Sequence, residues 1–249
     1  MIKWISHRGE SSDSPENTLT SFRLAGERGA DGVECDLRLT ADHQVVVVHD
    51  PTTIRMGSDI LPIESSTYDE LQKITVSGCF EVEYPGERIP LFRETFQYIS
   101  AGMDYYVELK GDNPALAEAV VEIVTNSNLN SAQLVFISFS KLLISCIKQK
   151  LPQCRALWLD KLVRNDRIVT ADELLLEISD LGIDGIDGAN HPDITPELIR
   201  NVKNAGMIFA VWTIDNPYRA ARLIDMGVDV ITSNCAAKLK KWYAANYHG

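Results

Sequence analysis

Apolar and polar positions along the chain fall into two rhythms. Short apolar runs with a two-residue beat open at Ile2, Val33, Tyr105, Leu134, Arg155, Gly185, Ile208 and Val230, and each reads as a strand, the one at Gly185 covering only 185–186. Between them lie longer stretches with apolar positions three and four apart, predicting helices over 15–28, 91–100, 115–125, 141–150, 171–180, 196–205, 217–226 and 236–247. Eight strands alternating with helices predict an α/β chain folded as a parallel TIM (β/α)8 barrel. At 249 residues and 45% hydrophobic content, the length and the core supply suit one such barrel, so a single domain over 1–249 is expected.

One stretch breaks the alternation. Residues 33–40 and 45–49 read as two strands joined by the loop 41–44, which is too short for a parallel crossover. The pair is therefore an antiparallel hairpin. Pairing Thr40 with Val45 would set Asp36 opposite His49. Glu34 and Asp36 share one face of the first strand, with Arg38 higher on that face, while Val33, Cys35 and Leu37 share the other. Cys35 is thus expected to face the helices, and Arg38 either to pair a carboxylate or to stay on the surface. The following segment, 51–90, is irregular apart from a helical patch at 67–73, and is expected to be an excursion over the barrel top after strand 2.

Charge and cysteine usage narrow the partners. A net charge of -11 argues against a nucleic-acid surface and against stable association with an anionic membrane. The five cysteines form no Cys-x-x-Cys pair, which suits a reducing compartment. The chain enters a strand almost at once and has no apolar run of about 18 residues. A cytoplasmic protein with a small-molecule substrate is expected, its state as monomer or homo-oligomer left open.

In a TIM barrel the chemistry collects at the C-terminal ends of the strands. Those ends carry His7 and Arg8, Glu34 and Asp36, Glu108 and Lys110, Ser138, and Trp212, and the hairpin adds His49. Three carboxylates converging in a barrel mouth suit one hard divalent cation, Mg²⁺ or Ca²⁺. Two histidines supply a general base and a general acid. Arg8 and Lys110 can hold a phosphate. These parts together point to metal-assisted phosphodiester cleavage.

His7-Arg8-Gly9, Pro15-Glu16-Asn17-Thr18, Glu34-x-Asp36, His49-Asp50, Glu108-Leu109-Lys110, Ser138-Phe139, Val211-Trp212-Thr213 and Gly227-Val228-Asp229 follow one another along the chain. In this order the set resembles the glycerophosphodiester phosphodiesterase family. The resemblance implies a TIM barrel with an insertion after the His49 strand. It implies a divalent ion at Glu34, Asp36 and Glu108, and catalysis by His7 and His49. It also implies hydrolysis of a glycerophosphodiester to glycerol 3-phosphate and an alcohol through a cyclic phosphate, with Trp212 as a wall for the glycerol. Beside these, Glu16 and Asn17 are expected to brace the first loop, with Asn17 near the site, and Ser138 to line the cleft as a polar group and not as a nucleophile.

Two places depart from the family pattern. The last strand continues Ser233-Asn234-Cys235 where an Asp and a Pro are usual, and the hairpin turn reads Asp42-His43 where Asp-Gly is frequent. His43 fits that turn at negative φ, or with modest strain. With His191 and His248 it is expected to be solvated. Two other functions remain open. One is a lysophospholipase D-like or sphingolipid phosphodiesterase with the same site and an apolar groove near residues 60–80. The other is a catalytically silent binding barrel.

Overall fold

The computed structural model describes residues 2–56 and 59–247; His248 lies outside them. Its strands are β1 (Lys3–Ser6), β2 (Gly32–Leu39), β3 (Val45–Val47), β4 (Asp104–Leu109), β5 (Leu134–Ser138), β6 (Arg155–Asp160), β7 (Val163–Arg164), β8 (Arg167–Ile168), β9 (Gly185–Ala189), β10 (Ile208–Trp212) and β11 (Val230–Ser233). Its helices are α1 (Leu19–Arg28), α2 (Tyr68–Leu71), α3 (Pro114–Thr125), α4 (Lys141–Lys150), α5 (Ala171–Ile178), α6 (Pro196–Asn204), α7 (Pro217–Asp225) and α8 (Ala236–Asn246). Eight parallel strands close a ring in the order β1, β2, β4, β5, β6, β9, β10, β11 and back to β1, which is the predicted TIM barrel. None of the helices is long and apolar enough to cross a membrane among the described residues.

The two faces of each strand separate two cores. Ile5, Tyr106, Val135, Leu157 and Ala210 fill the barrel from inside. Val33, Cys35, Leu37 and Tyr105 turn outward to the helices, and Cys35 packs there with its sulfur against the Tyr105 hydroxyl, as its parity predicts. Most element bounds stand within two residues of those predicted, although β9 runs on to Ala189 instead of ending at 186.

Three local readings are corrected. The first helix starts at Leu19, not near Pro15, because Thr18 is the N-cap and its hydroxyl accepts from the Ser21 amide. Pro15, Glu16 and Asn17 therefore stay in a loop at the barrel mouth. The segment 92–98 coils as a 3₁₀ helix, Phe92–Tyr98.

The hairpin register differs by one residue. Leu37, Arg38 and Leu39 pair with Val47, Val46 and Val45, and the Asp36 carbonyl accepts from the Val48 amide. Asp36 thus faces Val48, and His49 lies one residue further on, in a bend. The cause is the turn. Thr40 pairs with Gln44, leaving a three-residue loop whose last residue, His43, is left-handed at φ 58. That is the usual construction of a three-residue hairpin loop, and it favours Gly at the position His43 occupies.

β3 lies against the part of the β2 edge that β1 leaves uncovered, since β1 reaches only Gly32 and Val33. The segment after it has its own small core: Val46, Val48, Ile63, Leu71, Val76, Ile89 and Leu91. This core fixes the backbone that leads into His49. Ile63 is fully buried in it, whereas Ile60 is 60% exposed. Ile63→Ala should destabilise the protein by about 2–5 kcal/mol, while Ile60→Ala should stay within about 0.5 kcal/mol of wild type. Denaturant titration of the two variants checks this contrast.

Candidate active site

The mouth of the barrel is organised by buried charge. Register places Asp36 of β2 beside Glu108 of β4, and Glu34 projects inward from the layer below. All three carboxylates are buried, and one oxygen from each can be chosen so that all lie within 4.8 Å of one another. Two cations reach them. Lys110 Nζ stands 2.8 Å from Asp36 Oδ1 and 2.6 Å from Glu108 Oε1, and Arg8 Nε stands 3.1 Å from Asp36 Oδ2. These contacts have ion-pair distances without hydrogen-bond alignment. The Arg8 amide donates to Glu34 Oε2 at 2.8 Å, which requires the chain to turn sharply after β1. Arg8 and Gly9 are both left-handed there, and a Cβ on Gly9 would lie 2.3 Å from the Ser21 hydroxyl.

The three carboxyls answer this environment differently. Burial pushes Glu34 well up, with Asp36 and Glu108 adding to the shift. Burial likewise pushes Glu108 up to about 7, again with help from Asp36. Burial also acts on Asp36, but Lys110 and Arg8 outweigh it and hold that carboxyl well below the usual range. Two of the three groups are therefore short of positive charge.

The trio fits a hard divalent cation. Oxygens on opposite sides of an ion with bonds of about 2.4 Å are about 4.8 Å apart, and Glu34 Oε1 is buried with no partner. Asn17 braces the trio by donating from Nδ2 to Asp36 Oδ2 at 2.8 Å, and Glu16 clamps Arg8 from outside at 3.0 Å.

Each histidine has a fixed ring. His7 Nδ1 lies 2.7 Å from Asn234 Oδ1. Asn234 gives its Nδ2 to Asp215 Oδ2 at 2.7 Å, so its oxygen is the atom aimed at His7. An amide oxygen only accepts, so His7 carries its proton on Nδ1 and keeps the Nε2 lone pair for the cleft. Burial, helped by Arg8, pushes His7 down to about 4, so it is neutral at pH 7. His49 Nδ1 lies 2.7 Å from Asp50 Oδ1, and Arg55 pairs with both Asp50 and Glu16. Burial lowers His49 too, against the opposing pull of Asp36. Arg38 has a role on the hairpin: its Nε donates to the His49 carbonyl at 2.9 Å.

His7, Arg8, Glu34, His49, Glu108, Lys110 and Trp212 line one cleft of about 390 Å³ counted to its open mouth. Trp212 forms part of its wall, edge-on to Phe139 with ring centroids 5.8 Å apart. Ser138 does not line it. Its hydroxyl donates to the Leu109 carbonyl at 2.8 Å and accepts from the Ser140 amide, so it braces two strand ends.

The sequence assigned no role to Asn234, Asp215, Phe139, Thr232 or Asp187, although Phe139 and Asn234 stand in the stretches compared with the family. Asn234 stands at the end of β11, where the rule of strand ends applies. Asp187 lies beyond the predicted end of its strand at 186. Among the other histidines, His43 is exposed and His191 half-buried.

Known proteins resemble this chain over most of its length. A glycerophosphodiester phosphodiesterase of Caldanaerobacter subterraneus is 29% identical over 92% of this chain and 93% of its own length. A phosphodiesterase of Oleispira antarctica, solved in complex with the product sn-glycerol-3-phosphate, superposes with a TM-score of 0.88 at 25% identity, covering 97% of this chain and 96% of that one. A glycerophosphodiester phosphodiesterase of Parabacteroides distasonis superposes at 0.79 with 28% identity, covering 98% and 97%. The profile of one family matches residues 7–237, from the first histidine of the cleft into the last helix, and by that match the chain belongs to the glycerophosphoryl diester phosphodiesterase family.

Proposed function

We propose that this chain hydrolyses glycerophosphodiesters to glycerol 3-phosphate and an alcohol, with one divalent cation held by Glu34, Asp36 and Glu108. The observation that carries the reading is the meeting of those carboxylates, both ring-fixed histidines, Arg8 and Lys110 in a single cleft. The cation, when bound, would draw charge from the phosphoryl oxygens and acidify the attacking hydroxyl. The acidic cleft itself would repel a phosphodiester, and Arg8 and Lys110 offset that repulsion on the side where the phosphate must enter.

The residues divide a proton relay. His7 Nε2 takes the proton of the glycerol 2-hydroxyl as its oxygen bonds to phosphorus. His49 gives a proton to the departing alcohol oxygen as the second P–O bond breaks, and the Asp50 carboxylate favours its charged form. A five-membered cyclic phosphate results. For ring opening the roles reverse: His49 takes a proton from water while His7 returns one to the 2-oxygen, leaving glycerol 3-phosphate. Trp212 and Phe139 would enclose the glycerol side and limit water there.

A lysophospholipid or sphingolipid substrate would need an apolar groove near residues 60–80. A cleft does run past Pro15, Met56, Val76 and Phe80, but Glu16, Arg55 and Ser77 share its wall. The main apolar residues of the segment, Ile63, Leu71 and Ile89, are spent in its own core. These features favour a small, soluble diester.

Two outcomes test the reading. Metal binding should expel protons from Glu34 and Glu108, whose carboxyls are pushed up in the metal-free protein. Below about pH 7 the affinity for Mg²⁺ or Ca²⁺ should therefore rise about tenfold per pH unit for each proton released. The sign follows for stability as well. A carboxyl raised on folding stabilises the metal-free fold below its unfolded pKa, and that contribution is lost as pH rises through the folded value. The chelated protein should lose thermal stability between pH 4.5 and 7, and added metal should restore it. Calorimetry in two buffers of different ionisation enthalpy, with melting curves, measures both; affinity that is flat with pH would reject the trio as the ligand set.

His7→Ala and His49→Ala should each lose about 10²–10⁴-fold in rate while still binding metal. A diester with a good leaving group should rescue His49→Ala and not His7→Ala. Rescue in the reverse pattern would exchange the two roles.

A further inference from the structure

Two buried polar groups on the wall facing the carboxylates have no partner. Asp187 sits on β9, the strand diametrically across the ring from β2. It is 1% exposed, and its Oδ1 bonds to nothing. Thr232, on β11, is 2% exposed, and its Oγ1 is equally unpaired. Both line the cleft. Trp212 stands between them on β10, but its indole Nε1 is already given to the Asp187 backbone carbonyl at 3.1 Å, so it answers neither. Ala210 pairs with Asp187 in register and faces inward, leaving room beside the carboxyl. Buried polar groups are nearly always bonded, so two unbonded ones on one wall mark where a ligand supplies the missing bonds.

The chemistry of that ligand follows from what the wall lacks and what it holds. The cations lining the cleft, Arg8 and Lys110, both stand with the carboxylates at the other side. This wall is therefore not built for phosphate. A hydroxyl and a carboxyl can each bond an alcohol group, and a neutral carboxyl both donates and accepts. Burial, with the nearby charge of Glu108, pushes Asp187 up to about 8, which supports the neutral form at pH 7.

We propose that Asp187 and Thr232 form the subsite that holds the free hydroxyl end of the glycerol head, and so select polyol phosphodiesters over simple alkyl ones. This inference rests on the glycerophosphodiester reading above and adds the residues that read the head group. With the phosphate at the carboxylate side, the glycerol would lie across the cleft against Trp212, and its outer hydroxyl would meet Asp187 and Thr232. The leaving alcohol would then point out of the mouth, where it is read least.

The test uses the full metal-loaded chain. Binding of sn-glycerol 3-phosphate and of ethyl phosphate is measured by calorimetry, and KM is measured for glycerophosphocholine and glycerophosphoglycerol. Asp187→Ala should weaken glycerol 3-phosphate about 10- to 100-fold and raise both KM values alike, while ethyl phosphate moves by less than about threefold. Asp187→Asn, which keeps shape and can still donate and accept, should recover most of that loss. Thr232→Val, close in volume, should show the same pattern to a smaller degree, with a melting curve like wild type.

An equal loss for ethyl phosphate, or no loss for glycerol 3-phosphate, would overturn the subsite. Selective damage to the choline diester by Asp187→Asn would assign the carboxylate to a cationic leaving group and also overturn it. A wild-type protein that releases no glycerol 3-phosphate from either diester would instead reject the parent reading.

Discussion

The structure depends on keeping a carboxylate ionised where no water reaches it. Asp36 is fully buried among two other acids, a placement that is costly unless each oxygen is answered. The answer is a chain of alternating sign that crosses four segments of sequence. It runs Glu108, Lys110, Asp36, Arg8, Glu16, Arg55, Asp50, and the last carboxylate holds the His49 ring by a hydrogen bond. Each member is held by neighbours of opposite charge, so the loop after β1, the insertion and the end of β4 are set with respect to the same carboxylate. The outer links are more exposed and individually weak. Their value is positional, because they connect surface loops to a strand of the barrel.

The barrel was legible because its signal is repeated. Eight strands and the helices between them each carry their own periodicity, and an error in one does not disturb the others. Parity along β2 placed Glu34 and Asp36 inward and Cys35 outward, since a two-residue alternation leaves no third choice. What failed hinged on single residues. The hairpin register turned on whether Gln44 belongs to the loop or to the pair, and a left-handed His43 decided it. The start of α1 turned on one hydroxyl, that of Thr18. His49 still reached the cleft, although by a bend after the strand and not by direct pairing with Asp36.

The parts of the site that were not legible are those that act through another residue. His7 could be read as a strand end, but the amide that sets its tautomer lies at Asn234, and the group that sets the amide lies at Asp215. No local pattern joins those positions. Asp50 is adjacent to His49 and was in view as part of a motif, whereas Arg38, left open between pairing a carboxylate and the surface, reaches Glu64 at 3.8 Å and also fastens the His49 carbonyl, which no pattern announced. Asp187 was hidden because a short strand rich in glycine and acid gives almost no hydrophobic beat from which to judge its length.

The bond between His7 and Asn234 spans 227 positions of the chain. Strands β1 and β11, which these residues directly follow, are also the pair that seals the ring, so a base with a defined tautomer exists only after closure. Contacts this distant in sequence form slowly, because the intervening chain must give up its freedom before they return anything. On the ribosome the first histidine emerges long before its amide partner. A growing or truncated chain that lacks β11 would thus carry both imidazoles without a seated base, and that base is set only when the last strand docks.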